Sequence, residues 1–540
     1  MLRILFLLSS VLAILSRASG VEPGGKAGVC DSLDEAAKAS TAYVNAGKYD
    51  EAQSTVQAAL SCLNAPSLLK VRLLNDLGKV FERQLKFENA ERQYRAALEM
   101  NRQFPKPSQL DEANILVNLG ALAAEQRHFS EGEKLLREAR SMLQQMGSVD
   151  SALAAAVAGN LGIILLEEGQ LPESRRLLTD ALRGYRQVSG EQSIDYATAL
   201  SSAGSLSLQE GKIAESLEET EQALKIQTSL QPKSTYLGAH LLNNLGSALA
   251  SSGRYAEAYD VLSRCLRMEK ELAGRWSFSA IQPLINLASV ERARGQISDA
   301  AEHAEIAERI ANLELKKDDP VLALIWITQG TIEMSRNHAE EAEVLYQRVI
   351  AFSPKNSLAY AAALCDVGEL ATKRHRYKQA QELYERALSA DTARYGAQSE
   401  RVAEDLNNIA AQLFFQRDRT GAIALLEKAE SIQVACLGSH NVRTAHTQHN
   451  LGVAYTEAKD LQHAEFAYGK AIAALEDAPE PDQLVLEQWL GEYARLLKRE
   501  HRFAEAEQAQ VRSLGMHVRA VIAAEKRARE VPQAGEPVRN

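Results

Sequence analysis

Apolar and small residues recur along this chain at helical rather than strand spacing. Leu242, Leu245 and Leu249 form one stripe, and Ala258, Leu262, Cys265 and Leu266 form the next, at the three- and four-residue steps of a helix. Between the stripes the chain turns at Gly253-Arg254-Tyr255, and similar turns stand at Gly47-Lys48-Tyr49, Gly211-Lys212-Ile213 and Gly295-Gln296-Ile297. The pattern predicts a helix, a short turn and a second helix, many times over. No stretch after residue 20 alternates as a strand would.

The phrase NNLGSALASSGRYAEA, Asn243 to Ala258, has relatives starting at Asn118, Asn160, Asn286 and Asn450. The small residue of each phrase falls at Ser40, Gly78, Gly120, Gly162, Gly204, Gly246, Ala288, Gly330, Gly368, Ala410, Gly452 and Ala494. The steps are 38, then 42 six times, 38 again, and 42 three times. Such regularity marks a repeat architecture, in which one helix pair is stacked on the next. Twelve residues after each of these positions stands a second small side chain, including Ala52, Ala90, Ala258, Ala300 and Ala380, and seven further on a third, including Ala59, Ala97, Ala139 and Ala387. Helices approach closely only where the facing side chains are small, and the offset of seven puts the second and third positions on one face. Two connectors are expected to lose about one helical turn, after repeats 1 and 8, with a change of curvature there.

With small residues at three fixed positions in nearly every unit, the chain resembles the tetratricopeptide repeat family. Its 42-residue period is similar to the kinesin light chain type, as in ALSADTARYGAQSERVAEDLNNIA (387–410) and AESIQVACLGSHNVRTAHTQHNLG (429–452). The resemblance covers residues 31 to 515 and implies an all-α, right-handed superhelical solenoid of about twelve helix-turn-helix repeats with a concave and a convex side. Residues 516–540 are expected to form a helical end and a loose tail.

Composition agrees: alanine and leucine abound and aromatics are 6% of the chain. The opening MLRILFLLSSVLAILSRASG has an early arginine, an apolar run from Ile4 to Leu15, and small residues at Ala18 and Gly20. It reads as a cleaved secretory signal over 1–20, followed by a short linker over 21–30, and implies a periplasmic or extracellular protein. The apolar run is too short to span a bilayer, and no later stretch qualifies. Loss of Arg3 and Arg17 with the signal takes the formal charge from −10 to −12, which argues against a nucleic-acid partner.

Chemistry is sparse. The repeats leave no room for a catalytic domain, and no phosphate-binding, dinucleotide, zinc-protease or hydrolase motif occurs. His440, His446 and His449 crowd one unit, the last two three residues apart on a helical face. A metal would need a third ligand and supporting partners that the sequence does not show, so neither metal nor cofactor is assigned. Cys265 occupies a small-residue slot, and Cys365 and Cys436 have no evident mates. Cys30 and Cys62 stand at the two ends of the first hairpin, which an antiparallel arrangement brings together, so either a disulfide or two reduced thiols is expected there.

One column suggests recognition. The residue two before each small landmark is Asn118, Asn160, Asn244, Asn286, Asn408 and Asn450, with acids at Asp76, Asp366 and Glu492. The resemblance implies that this position faces the groove, where an amide ladder would grip an extended peptide backbone, with His446 and His449 adding specificity. The alternative is that each amide ties its helix to a neighbour. The expected function is a non-enzymatic scaffold that binds a protein or peptide. The other reading is a structural component that assembles through its ends or convex surface.

Overall fold

The computed structural model describes residues 33–530, apart from 46–47, 85, 149–150, 274–275, 356 and 479–482. The expected signal, the linker, Cys30 and the terminal VPQAGEPVRN lie outside the described residues. Among those described there are twenty-four α-helices and no strand, a helical repeat solenoid with two helices for each of the twelve landmarks. The pairs run from Leu33–Asn45 with Tyr49–Ser61 to Gln483–Arg499 with Phe503–Glu530.

The chain divides into two compact units. Of the described residues, one comprises 33–206 together with 218–241; the other comprises 207–217 together with 242–530. In the first, Val71, Leu77 and Tyr94 of repeat 2 share a core with Ile115 and Leu119 of repeat 3. In the second, Ala471, Ile472 and Leu475 of repeat 11 meet Leu486, Trp489 and Leu490 of repeat 12. Within each unit a helix pair thus buries its apolar face against the next pair and not only within itself.

The small landmarks are enforced by contact. A Cβ on Gly246 would stand 2.5 Å from Leu262 Cγ, and one on Gly120 2.6 Å from Leu136 Cγ. Gly162 faces Leu178 in the same way, and Gly78, Gly330 and Gly368 face the rings of Tyr94, Tyr346 and Tyr384. The partner is always sixteen residues on, in the second helix of the same repeat. Ala258, Ala300, Ala380 and Ala387 are fully buried at the other two packing positions.

Helix starts are fixed by side chains. Ser67, Ser151, Ser357 and Ser399 each accept a hydrogen bond from the backbone N–H three residues on, satisfying a donor that the first turn leaves unpaired. In repeats 3 to 12 the turn inside the repeat places one residue in the left-handed region. Gly169, Gly211, Gly253 and Gly295 supply it in repeats 4 to 7, whereas Arg127, Asn337, His375, Arg417, Lys459 and His501 adopt positive φ elsewhere.

The two 38-residue steps arise differently from the expectation. Connectors keep their length, and the second helices shorten instead: Tyr49–Ser61 has 13 residues and Ala339–Phe352 has 14, against 19 in Tyr377–Tyr395. The last helical turn is the cheaper segment to lose, because it extends past the positions that pack on the first helix.

Exposed ion pairs also join successive second helices. Arg95 bridges Glu91 at 2.7 Å and Glu131 at 3.0 Å, and Arg137 bridges Glu133 at 2.7 Å and Glu173 at 3.3 Å. Solvent screening makes each worth at most ~1 kcal/mol.

Candidate functional site

Four positions of every first helix share one face: those six and two residues before the small landmark, and those one and five after it. In repeats 3 to 5 this face is closed. Asn118, Ala121, Ala156, Asn160, Ile163, Thr198, Ser202 and Ser205 are buried, and the other four, Asn114, Glu125, Glu167 and Gln209, are half-buried. In repeats 10 to 12 it is open. His446, Asn450 and Glu457 are exposed on Val442–Ala458, and Gln488, Arg495 and Arg499 on Gln483–Arg499. Glu400–Phe415 adds half-buried Asn408 and exposed Ala411 and Phe415.

This geometry separates the amides of the expected ladder. Asn118 Nδ2 donates to Asn75 Oδ1 at 2.8 Å, between the first helices of repeats 2 and 3. Asn286 Nδ2 donates to Asn243 Oδ1 at 2.8 Å and to Ser247 Oγ at 2.9 Å, while its own Oδ1 accepts from Gln282 Nε2 at 3.1 Å. Asn160 and Asn244 are likewise buried. At these four positions the groove-facing assignment is corrected. The position two before the landmark meets the position three before it in the preceding repeat, so a polar pair there is sealed between adjacent helices. Only Asn408 and Asn450 of the six amides remain accessible.

The two histidines also part company. His449 is buried, stacks on Trp489 at 4.7 Å between centroids, and shares a hydrogen bond of 2.8 Å between its Nε2 and Glu492 Oε2. His449 and Glu492 occupy the same two positions as Asn75 and Asn118, so His449 is a tie and not a ligand contact. Burial alone would raise the Glu492 carboxyl, but hydrogen bonds from His449 and Gln488 and the nearby Arg495 hold it below the usual carboxylate range. His446 lies exposed one turn away, edge-on to the same Trp489 at 5.0 Å.

The open face therefore combines an imidazole, three amides, an aromatic ring and charges of both signs. Phe415 is 56% exposed although it is a large apolar side chain. Glu457 lies 3.6 Å from Arg419, and Arg495 lies 3.8 Å from Glu492. Phe415, Arg495 and Arg499 escaped the sequence reading. Their signal was the shared register with Asn408 and Asn450, with Arg495 where repeats 3 to 5 carry Ala121, Ile163 and Ser205, and Phe415 where they carry Glu125, Glu167 and Gln209.

Among the cysteines, Cys265 is buried, and Cys365 and Cys436 are partly buried free thiols. Cys62 lies at the end of the second helix of repeat 1, and its expected partner Cys30 is outside the described residues. No helix among the described residues is long and apolar enough to cross a membrane.

Comparison with known proteins bears on the fold. Tetratricopeptide repeat family models match residues 69–145, 153–229 and 402–477, and a second model of that description matches 241–275. No curated protein matches the sequence. Among solved structures, a Rap protein complexed with competence and sporulation factor is 16% identical with a TM-score of 0.52, over 70% of this chain and 99% of that one. BtubC (BKLC) from P. vanneervenii is 17% identical with a TM-score of 0.33, over 47% of this chain and 94% of that one. Identity at this level speaks to fold alone. With the family matches, the twelve helix pairs and the small residues at their contacts in agreement, the chain is a tetratricopeptide-repeat protein.

Proposed function

We propose that this protein is a non-enzymatic interaction scaffold that holds a protein or an extended peptide on the open face of repeats 10 to 12. The observation that carries this reading is the change in one register: positions buried or half-buried in repeats 3 to 5 become exposed His446, Asn450, Arg495, Arg499 and Phe415. An amide offers a donor and an acceptor together, which suits a main chain, and Phe415 offers an apolar anchor. The Rap protein of similar fold was solved with a bound factor, which accords with a ligand-holding role for such a scaffold. We place the protein in the periplasm or outside the cell, on the strength of its first twenty residues.

The test is affinity capture from the source cells after crosslinking, with the intact protein and a His446→Ala/Asn450→Ala/Arg495→Ala variant side by side. A protein held by the former and lost by the latter, with both melting alike, supports the reading. A partner retained equally by both places the binding surface elsewhere.

A further inference from the structure

In the unit that holds residues 242–530, the turns inside repeats 9 to 12 lie side by side along one edge. Gln412 of repeat 10 donates to Tyr377 O of repeat 9 at 3.1 Å, Arg419 of repeat 10 lies 3.6 Å from Glu457 of repeat 11, and Arg502 of repeat 12 lies 2.7 Å from Glu465 of repeat 11. Each turn and its flanks span the fourth to the tenth residue past the small landmark.

Charge on this edge is uneven. Its acids all have partners: Asp418 and Asp460 accept from the backbone N–H of Gly421 and His463 at 3.0 and 3.3 Å, Glu457 faces Arg419, and Glu500 lies 3.2 Å from Arg502. Six exposed cations, Arg376, Lys378, Arg417, Lys459, Lys498 and Arg499, make no ion pair among the described residues. The chain as a whole is acidic, with a formal charge of −10, so this surplus is local. Two large apolar rings stand exposed beside it: Phe415 ends the first helix of repeat 10 and is 56% exposed, and Phe503 opens the second helix of repeat 12 and is 64% exposed. The backbone adds a third sign. Where repeats 4 to 7 have glycine in the left-handed turn position, repeats 9 to 12 have His375, Arg417, Lys459 and His501, at φ of 61° to 69°. Glycine would hold that conformation without strain, yet side chains that are basic or can become so occupy it in four successive units.

We propose that the turn edge of repeats 9 to 12 is a membrane-contacting surface, which sets its cations on anionic lipid head groups and its exposed phenylalanines into the apolar layer beneath. The cations are strung along a row of four turns and do not converge on a cleft, and exposed rings stand among them. A flat anionic surface with an apolar interior meets both kinds of side chain, whereas a nucleic acid would leave the rings in water and would be repelled by the acidic remainder of the chain. Phe415 and Arg499 stand where this edge meets the open face of the first helices. Arg376, Lys378, Arg417, Lys459 and Phe503 belong to the edge alone, so the proposal does not depend on what the open face holds.

Cosedimentation of the full chain with phosphatidylcholine vesicles, with and without phosphatidylglycerol, tests the proposal. The wild type should pellet with the anionic vesicles, remain in solution with the neutral ones, and lose the anionic vesicles as salt is raised. Arg417→Gly/Lys459→Gly should weaken the partition by on the order of thirtyfold, since each basic residue near an anionic surface contributes about a factor of five. Both substitutions place glycine at a positive φ, so the variant should melt no lower than the wild type. Phe503→Ser, at a side chain exposed in the fold, should weaken the partition as well, and His446→Ala/Asn450→Ala should leave it unchanged. A wild type that binds neither vesicle overturns the proposal, and so does binding that Arg417→Gly/Lys459→Gly leaves intact. Loss of an acidic protein from crosslinked captures of that variant, without any binding to vesicles, would assign the edge to a protein partner and overturn the lipid reading.

Discussion

Asn286 donates its side-chain N–H to Asn243 across one repeat and one residue, at 2.8 Å, and the same offset joins Asn118 to Asn75 and His449 to Glu492. Three pairs of two chemical kinds, amide with amide and imidazole with carboxylate, solve one problem: how to seal polar groups between successive first helices. Asn286 has both donor hydrogens and its oxygen engaged, so Asn286→Ala would strand Asn243 and Gln282 together. The expected cost is about 1–3 kcal/mol of stability, read as a lower denaturation midpoint. Capture of a partner by the open face of repeats 10 to 12 should be unaffected. Weakened binding at unchanged stability would return Asn286 to the ligand surface.

Glycine is needed at the landmark wherever a large ring faces it. Tyr94 is fully buried, and its hydroxyl donates to Glu82 at 2.7 Å, so the ring has no freedom to give way to a methyl group. Gly78→Ala should therefore cost about 1–3 kcal/mol through overpacking. Gly469, in the middle of Leu461–Glu476, has open space where a Cβ would stand. Gly469→Ala should stabilise by up to ~1 kcal/mol through helix propensity alone. Chemical denaturation of the two variants checks both signs.

Repeats 9 and 10 hold a buried acidic pair that gives stability a pH dependence. Burial pushes the carboxyl of Asp405 up to about 7 and that of Asp391 up to about 6, and each has an oxygen without a hydrogen-bond partner. Asp391 itself raises Asp405, while Arg401 lowers both, Glu404 raises both, and the Cys365 thiol donates to Asp405 Oδ1 at 3.2 Å. The folded-state values lie above the ordinary unfolded value near 3.8, so the folded chain binds the extra protons. The stabilisation is complete below about pH 4 and is lost as the pH rises through 6 to 7. Asp405→Asn should raise stability at pH 8 by roughly 1–3 kcal/mol and have much less effect at pH 5. Melting at the two pH values decides; equal shifts would mean that Asp405 is not protonated in the fold.

We propose that Cys30 and Cys62 form a disulfide in the exported protein, joining the two ends of the hairpin of repeat 1. A loop of that size is worth about 3–4 kcal/mol in the chain-entropy model. The intact mass of the unreduced, exported chain should show a start after Gly20 and one fewer pair of alkylatable thiols than the reduced chain. Two free thiols at these positions would exclude the bond.

The repeat was legible because close packing constrains size: Gly246 against Leu262 and fully buried Ala258 leave no alternative residues, so the period survives in the letters. The caps were legible too, since Ser67, Ser151, Ser357 and Ser399 stand eleven residues before their landmarks, but they went unread. The amide column was visible as a pattern, but its partners were not. Whether Asn286 faces a ligand or Asn243 depends on the offset between stacked helices, which is a tertiary quantity. The split between the closed and open stretches was half visible, as Ala156, Ser202 and Ser205 in one and Phe415, His446 and Arg495 in the other. A 38-residue step told how much was missing but not from which element.

The offset of one repeat plus one residue gives the first helices that carry these pairs an address. A buried polar group at one position is meant for a particular partner in the neighbouring unit, and these pairs differ along the chain: amide with amide in repeats 2 and 3, imidazole with carboxylate in repeats 11 and 12. Units of equal pitch are consequently not interchangeable parts. Excision of 247–288 would keep the spacing of landmarks yet bring Asn243 opposite Thr328, whose hydroxyl already donates to Leu324 O at 2.9 Å. A shuffled or shortened chain would stack in shape and mismatch in its seams, so the order of the twelve units is itself part of what the sequence specifies.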